Sequence, residues 1–110
     1  MTFGEKVLHF NKTLTLEANL PRGVAVMNPF QDDYAFSLCR KFYTHYYSDL
    51  QERHIILGIN PGRLGGGLTG IPFTDPVKLE KLCGVTNTLE KRTELSADYI
   101  YLMIAAYGGI

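Results

Sequence analysis

The sequence predicts an α/β fold, and two features of one stretch, Ile55 to Asp75, support that prediction. The apolar run Ile55-Ile56-Leu57 contains β-branched residues and no polar alternation, which is typical of a buried strand. A loop with five glycines between Gly62 and Gly70 follows, and its bare backbone allows another molecule to approach closely. Ligands of open α/β sheets bind at the carboxyl ends of strands, so this loop is the candidate binding site.

Length and composition predict one domain over residues 1–110. Eleven basic residues balance eleven acidic ones, which argues against a wholly electrostatic nucleic-acid binder but leaves room for a local basic strip or a pocket. Cys39 and Cys83 lack metal-ligand spacing, so we expect reduced, half-buried thiols. No apolar run reaches the roughly 18 residues of a membrane span, and no signal peptide is evident, so we expect a soluble cytoplasmic protein with no membrane partner.

Capping signals predict four helices around the strand. Thr2, Asp32 or Asp33, Asp75 and Ser96 are the expected caps, and the helices cover 2–12, 32 or 33 to about 50, 75–84 and 96–107. The segment 24–27 is predicted to be a short strand or an extended segment, and 85–95 a surface loop. One or two strands cannot form a stable sheet alone, so we expect an incomplete, N-terminal part of a larger fold. An incomplete sheet also predicts self-association.

The glycine-rich loop does not match either of two common phosphate- and nucleotide-binding loops. A phosphate loop of the Walker type needs Lys followed by Ser or Thr after its last glycine, and this loop has neither. Gly65, Gly67 and Gly70 match a dinucleotide fingerprint by spacing, and Glu90 lies about twenty residues further on. However, Pro72 follows where the fingerprint requires a continuing helix.

A base pocket is the third interpretation of the same loop. The Asn60 carboxamide can donate and accept hydrogen bonds, so it can orient a water molecule or bind a base edge. Pro61 and Gly62 define a turn whose amides can face a carbonyl group or a developing anion. Phe73, next to Pro72, offers a flat ring for stacking. We therefore expect Asn60 and Phe73 to face a shared cavity that holds a flipped nucleobase.

These residues carry a family resemblance. The segment Gly58-Ile59-Asn60-Pro61-Gly62, followed by Thr69-Gly70-Ile71-Pro72-Phe73, resembles the first motif of the uracil-DNA glycosylase superfamily. The order of the two segments is similar to that of the single-strand-selective monofunctional (SMUG-like) group, including its bacterial branch. Met27-Asn28-Pro29-Phe30 and the closing stretch from Tyr99 through Ala106-Tyr107-Gly108-Gly109 extend the resemblance over most of the chain.

The resemblance implies a three-layer α/β/α sandwich around a parallel sheet. It also implies hydrolysis of the N-glycosidic bond of uracil or a related base in DNA, without metal or cofactor. Carried over by position, Asn60 would orient the attacking water and act as the catalytic residue. The amide of Ile59 would contact a pyrimidine carbonyl, and Phe73 would stack on the base.

The resemblance further implies that Gly62 and the run Gly65, Gly66 and Gly67 pass close to the DNA sugar-phosphate backbone. Arg63 departs from the proline that is common at this position in animal SMUG enzymes. It either reaches a phosphate or faces solvent, and the sequence favours neither alternative.

The family's base-reading Asn, its anion-stabilising His and its wedge loop have no counterpart in these 110 residues. His9, His45 and His54 lie too early to match that His, and His54 is interpreted as a structural histidine at the strand start, opposite the loop. We therefore expect this chain alone to be inactive or nearly so. The alternative is a small nucleotide- or partner-binding α/β module that uses the glycine-rich loop without catalysis.

Overall fold

Local capping interactions determine where the main helices begin. The computed structural model describes all residues, 1–110, and its helices are α1 (Phe3–Thr13), α2 (Asp33–Tyr46), α3 (Gly66–Thr69), α4 (Pro76–Lys81) and α5 (Leu95–Ala106), with a 3-10 helix at Pro29–Gln31. Before α1, the Thr2 hydroxyl accepts from the Glu5 amide at 3.2 Å and the Glu5 carboxylate accepts from the Thr2 amide at 2.7 Å, which is the predicted capping box. The caps at Asp32 and Asp75 are likewise confirmed.

The N-terminus of α1 packs against the end of α2. The Gly4 amide donates to the Tyr47 carbonyl at 2.8 Å, and the Phe3 amide donates to the Asp49 carbonyl at 2.7 Å. Since these carbonyls accept from α1, the chain leaves helical geometry, and α2 ends at Tyr46 rather than near Leu50 as predicted.

The core forms where α2 meets the later part of the chain. Its buried members are Leu38, Cys39, Phe42, Tyr43, Ile71, Leu79, Cys83, Val85 and Tyr101. Phe42 and Tyr43 of α2 therefore belong to the core, and removing their apolar surface from water stabilises their packing with Leu79 of α4 and Tyr101 of α5. Cys39 and Cys83 are free and buried thiols rather than half-buried ones.

The predicted parallel sheet is wrong, because the structure contains no strand. Between His54 and Asn60 no backbone amide or carbonyl forms a hydrogen bond within the chain. Ile55 is 80% exposed and Leu57 is 88% exposed, so the run is not a buried strand either. The segment 24–27 is also exposed and has no strand partner, and its Val24 amide donates to the Pro21 carbonyl of the preceding turn at 3.1 Å. A strand requires a neighbouring strand to satisfy its backbone, and neither segment pairs with the other.

Two further predictions of secondary structure are corrected. Helix α5 begins at Leu95 with Glu94 as its cap, not Ser96, because the Glu94 carbonyl already accepts from the Asp98 amide at 3.0 Å. The segment 85–95 is irregular but not wholly at the surface, since Val85 and Asn87 are buried. None of the helices is long and apolar enough for a membrane crossing.

Candidate active site

The glycine-rich loop contains one helical turn, α3, which the sequence did not predict. The Gly67 amide donates to the Gly62 carbonyl at 2.8 Å, and the Gly70 amide donates to the Gly66 carbonyl at 2.9 Å. Gly70 ends the turn with φ +77°, a left-handed conformation that favours glycine. The two halves of the motif are therefore joined by an ordered turn.

Thr69 fixes the second half of the motif from inside. Its side chain is fully buried, donates to the Gly65 carbonyl at 3.0 Å and accepts from the Ile71 amide at 3.1 Å. A buried hydroxyl with both partners satisfied is costly to remove, because its partners would be left unpaired. Thr69 thereby ties the start of α3 to the segment that leads to Phe73.

The two halves of the motif also touch directly. A Cβ atom at Gly66 would lie 3.3 Å from the Pro61 side chain and 3.6 Å from the Pro72 Cα. A Cβ atom at Gly58 would lie 3.0 Å from the Phe73 ring. The ring of Phe73 therefore lies against the backbone of Gly58, two residues before Asn60.

Phe73 is held in an uncommon backbone conformation. It is the only residue other than glycine with a positive φ, at 56°. For a bulky residue this conformation costs about 1–3 kcal/mol and persists only where the surroundings enforce it. Such strain is concentrated at functional sites, which makes Phe73 a good candidate for a role beyond packing.

Beside Phe73 lies a mainly apolar cavity of about 210 Å³. Its walls come from α2, α5, the segment around Ile56 and the end of the chain, and they include Tyr43, His54, Ile71, Pro72, Thr74, Ile100, Tyr101, Ile104 and Ile110. Asn60 does not line this cavity. The expected shared cavity of Asn60 and Phe73 is thus not this one.

Asn60 and Ile59 are open to solvent. The Asn60 amide nitrogen donates to the Pro61 carbonyl at 3.2 Å, and its side-chain oxygen accepts no hydrogen bond from the chain. Ile59 is fully exposed, and its backbone amide has no partner within the chain. The Asn60 side-chain oxygen and the Ile59 backbone amide are therefore free to bind an incoming molecule.

A carboxylate that the sequence did not single out contacts the loop. Glu94 Oε1 accepts from the Leu64 amide at 3.0 Å. A Cβ atom at Gly62 would collide with both Glu94 carboxylate oxygens, and one at Gly65 would lie 2.7 Å from Oε2. Since thirty residues separate Leu64 from Glu94, no local sequence signal reveals this contact.

Asp75 and Lys78 form a buried polar cluster behind Glu94. Asp75 accepts from the Lys78 amide at 2.8 Å, from Lys78 Nζ at 2.9 Å and from the Glu94 amide at 3.0 Å. Burial by itself raises the pKa of Asp75, but these hydrogen bonds outweigh it and hold the pKa below its usual value. Lys78 also pairs with Asp98, so its charge is shared between two carboxylates.

The remaining loop residues face the chain itself or solvent. Gly65 and Gly66 are buried, and a Cβ atom at Gly67 would lie 2.6 Å from the Met27 methyl group. Arg63 is exposed and forms no ion pair. The predicted approach of these residues to a sugar-phosphate backbone stays a prediction.

His54 lies closer to the candidate site than the sequence suggested. It lines the Phe73 cavity, is exposed and forms no hydrogen bond, so it is not a histidine with satisfied structural partners. The sequence predicts His54 at the start of a strand, at the end opposite the loop, but the structure has no strand there to hold the two apart. No group of three or more His, Cys, Asp or Glu side chains is arranged to hold a metal ion.

A solved structure resembles this arrangement closely. The chain is 46% identical to wild-type SMUG2 from Pedobacter heparinus, and the two superpose with a TM-score of 0.91. The match covers 100% of this chain and 48% of that one, so the chain spans about half the length of this relative. No protein-family model matches the chain. No curated protein sequence matches it either.

Proposed function

The chain belongs to the SMUG-like family of the uracil-DNA glycosylase superfamily, and from that premise we propose that it serves the hydrolysis of the N-glycosidic bond of uracil or a related base in DNA. The observation that carries this proposal is the contact between the two halves of the motif. The Phe73 ring lies on Gly58, and Asn60 follows two residues later with an unpaired side-chain oxygen.

In the proposed reaction, the target base leaves the DNA stack and lies on the Phe73 ring. The unpaired amide of Ile59 donates to a carbonyl of the base, and the Asn60 oxygen accepts from a water molecule and aims it at the sugar carbon. The new bond joins the water oxygen to that carbon, and the bond from that carbon to the base nitrogen breaks. The base departs with the electron pair of that bond, and the proton lost by the water passes to solvent. These residues need no metal or cofactor for this step.

Contacts with the DNA backbone are proposed for the outer rim of the loop. Arg63 is the exposed basic residue closest in sequence to Asn60, so it is suited to pair with a phosphate. Gly62 and the run 65–67 let the loop lie flat, although the buried glycines serve internal packing first.

Residues 1–110 are proposed to form the N-terminal part of one glycosylase domain and to release uracil slowly or not at all by themselves. The residues present orient water and hold the base, whereas the family's anion-stabilising His has no match in this sequence. Stabilising the developing charge is usually the largest catalytic contribution.

A chimera tests the proposal. In it, these 110 residues replace the matched segment of Pedobacter heparinus SMUG2, and uracil release from single-stranded DNA is compared with release by the 110-residue chain alone. We expect release by the chimera and little by the chain. Asn60→Ala in the chimera should lower turnover by about 100-fold, the size of effect expected when the attacking water is no longer oriented.

Gln31→Ala is the matched control, because Gln31 is an exposed carboxamide outside the motif. A chimera that releases uracil equally well with and without Asn60→Ala would remove Asn60 from the mechanism. Efficient release by the chain alone would show that the missing His does not carry the proposed share of catalysis.

We also propose that the chain self-associates through an apolar surface rather than through a sheet edge. Leu57 is 88% exposed and Ile59 is fully exposed, and Leu102 is 73% exposed on α5. Exposed apolar area of this kind favours association with a second copy. Sedimentation velocity should show a concentration-dependent dimer that Leu57→Lys and Leu102→Lys together abolish. A monomer at every concentration would contradict the proposal.

A further inference from the structure

We propose that Glu94 is a positioning residue, whose carboxylate fixes the loop that carries Asn60 by filling the space left free by Gly62 and Gly65. This inference rests on the proposed function for its catalytic consequence, but its structural part can be tested without DNA. Neither the motif nor the helix patterns of the sequence assign Glu94 any role.

The carboxylate contacts the loop at three positions, Gly62, Leu64 and Gly65. Its Oε1 atom accepts from the Leu64 amide at 3.0 Å, and its Oε2 atom lies where Gly62 and Gly65 would otherwise carry Cβ atoms. Gly62 has no positive φ, so φ alone does not require glycine there, whereas Gly65 has φ −124° and ψ −105°, outside the regions that other residues favour. At position 62 the space that a Cβ atom would take is filled by the Glu94 carboxylate, so a larger residue there must displace that carboxylate.

Glu94 is itself anchored to the buried cluster. Its amide donates to Asp75 Oδ2 at 3.0 Å, and the Asp75 side chain is fully buried and paired with Lys78. Its carbonyl accepts from the Asp98 amide at 3.0 Å in the first turn of α5. The carboxylate thus transmits the fixed position of α4 and α5 to the loop.

This anchor matters because the chain before the loop is held by packing, as at Gly58 against Phe73, and by no hydrogen bond of its backbone. From His54 to Asn60 the backbone forms no hydrogen bond within the chain. The first polar contact from outside the loop that fixes the chain after Asn60 is the one between Leu64 and Glu94. Without it, Asn60 would lie between a preceding segment that forms no backbone hydrogen bond and the turn α3 that follows. A displacement of about 1 Å is enough to impair a reaction that depends on the orientation of water.

Nuclear magnetic resonance of the 110-residue chain tests the structural part. Hydrogen exchange of the Leu64 amide and the side-chain amide signals of Asn60 are recorded for the wild type, Glu94→Ala, Glu94→Gln and the charge-matched control Glu90→Ala. Glu94→Ala should speed exchange at Leu64 by about tenfold and shift the Asn60 signals. Glu94→Gln keeps an acceptor oxygen and should restore both, and Glu90→Ala should change neither.

A double substitution separates the carboxylate from other reasons for glycine. Gly62→Ala collides with Glu94 and should lower the melting temperature, whereas Gly62→Ala combined with Glu94→Ala should melt at the temperature of Glu94→Ala alone. If Gly62→Ala is equally harmful with and without Glu94, or if Glu94→Ala leaves the Leu64 exchange and the Asn60 signals unchanged, the inference is overturned.

The effect of Glu94 on catalysis is measured in the chimera described above. Glu94→Ala should reduce kcat by about tenfold with KM nearly unchanged, and Glu94→Gln should recover most of it. Unchanged kcat in a chimera that depends on Asn60 would overturn the positioning role. If the chimera releases no uracil, the proposed function fails, and the resonance and melting results decide the structural role of Glu94.

Discussion

Removing the Asp75 carboxylate should be among the most damaging single changes in this chain. Its oxygens accept from the Lys78 amide, from Lys78 Nζ and from the Glu94 amide, all within 3.0 Å. Asp75→Ala takes away the cap of α4 and leaves the Glu94 amide without an acceptor. It also leaves Lys78 Nζ with Asp98 alone.

The size of the loss follows from these contacts. Loss of the helix cap should lower the free energy of unfolding by about 1 kcal/mol. Loss of the buried acceptor should lower it by about 3 kcal/mol, and not more, because Lys78 keeps one carboxylate partner. A domain of this length is stable by about 5–15 kcal/mol, so a loss of about 4 kcal/mol leaves it marginal. Asp75→Asn keeps an acceptor for the helix cap and should lose about 2 kcal/mol.

Urea unfolding followed by circular dichroism measures the effect. With a slope of about 1.5 kcal/mol per molar urea, Asp75→Ala should lower the midpoint by about 2–3 M. Asp98→Ala is the matched control, because its side chain is 46% exposed and its pairing with Lys78 should contribute less than about 1 kcal/mol. Equal losses for the two variants would refute the assignment of the buried cluster to Asp75.

The same carboxylate predicts how stability depends on pH. The pKa of Asp75 is lower in the folded chain than its unfolded value of about 3.9, so the unfolded chain binds the proton more readily. Its contribution is therefore fully present above about pH 4 and is lost as the pH falls through the folded pKa. Asp75→Asn should flatten this acid limb of the stability curve, and an unchanged limb would contradict the argument.

Three other predictions concern single residues. Asn60→Ala should change the free energy of unfolding by less than about 0.5 kcal/mol because the side chain is exposed, and a larger loss in urea unfolding would indicate a structural role. Gly70→Ala should lower the free energy of unfolding by about 3 kcal/mol, because the residue has a left-handed φ and its new Cβ atom would collide with Cys39 Sγ. Gly23 has a similar φ but open space around it, so Gly23→Ala should lower the free energy of unfolding by only about 1 kcal/mol. Burial raises the pKa of the Cys39 thiol to about 12. A thiol reagent at pH 8 should therefore label Cys39 at least about 100-fold more slowly in the native chain than in urea, and equal rates would contradict its burial.

The candidate site was only partly accessible to sequence reasoning. The motif segments 58–62 and 69–73 led to the correct family, and they do meet in space at Gly58 and Phe73. The part that Glu94 plays could not be predicted, because glycine at 62 and 65 is compatible with either an external ligand or an internal side chain. In the folded chain a carboxylate fills that space.

The starts of α1, α2 and α4 follow from short-range signals in the chain. The capping box at Thr2 and the caps at Asp32 and Asp75 act within three residues of each helix start, so their physical cause is contained in the segment. Tertiary structure decided whether Ile55-Ile56-Leu57 would be a strand, because strand hydrogen bonds require a partner from elsewhere in the chain. It also decided the positive φ of Phe73 and the contact of Glu94 with the loop, since both depend on packing between segments that are distant in sequence.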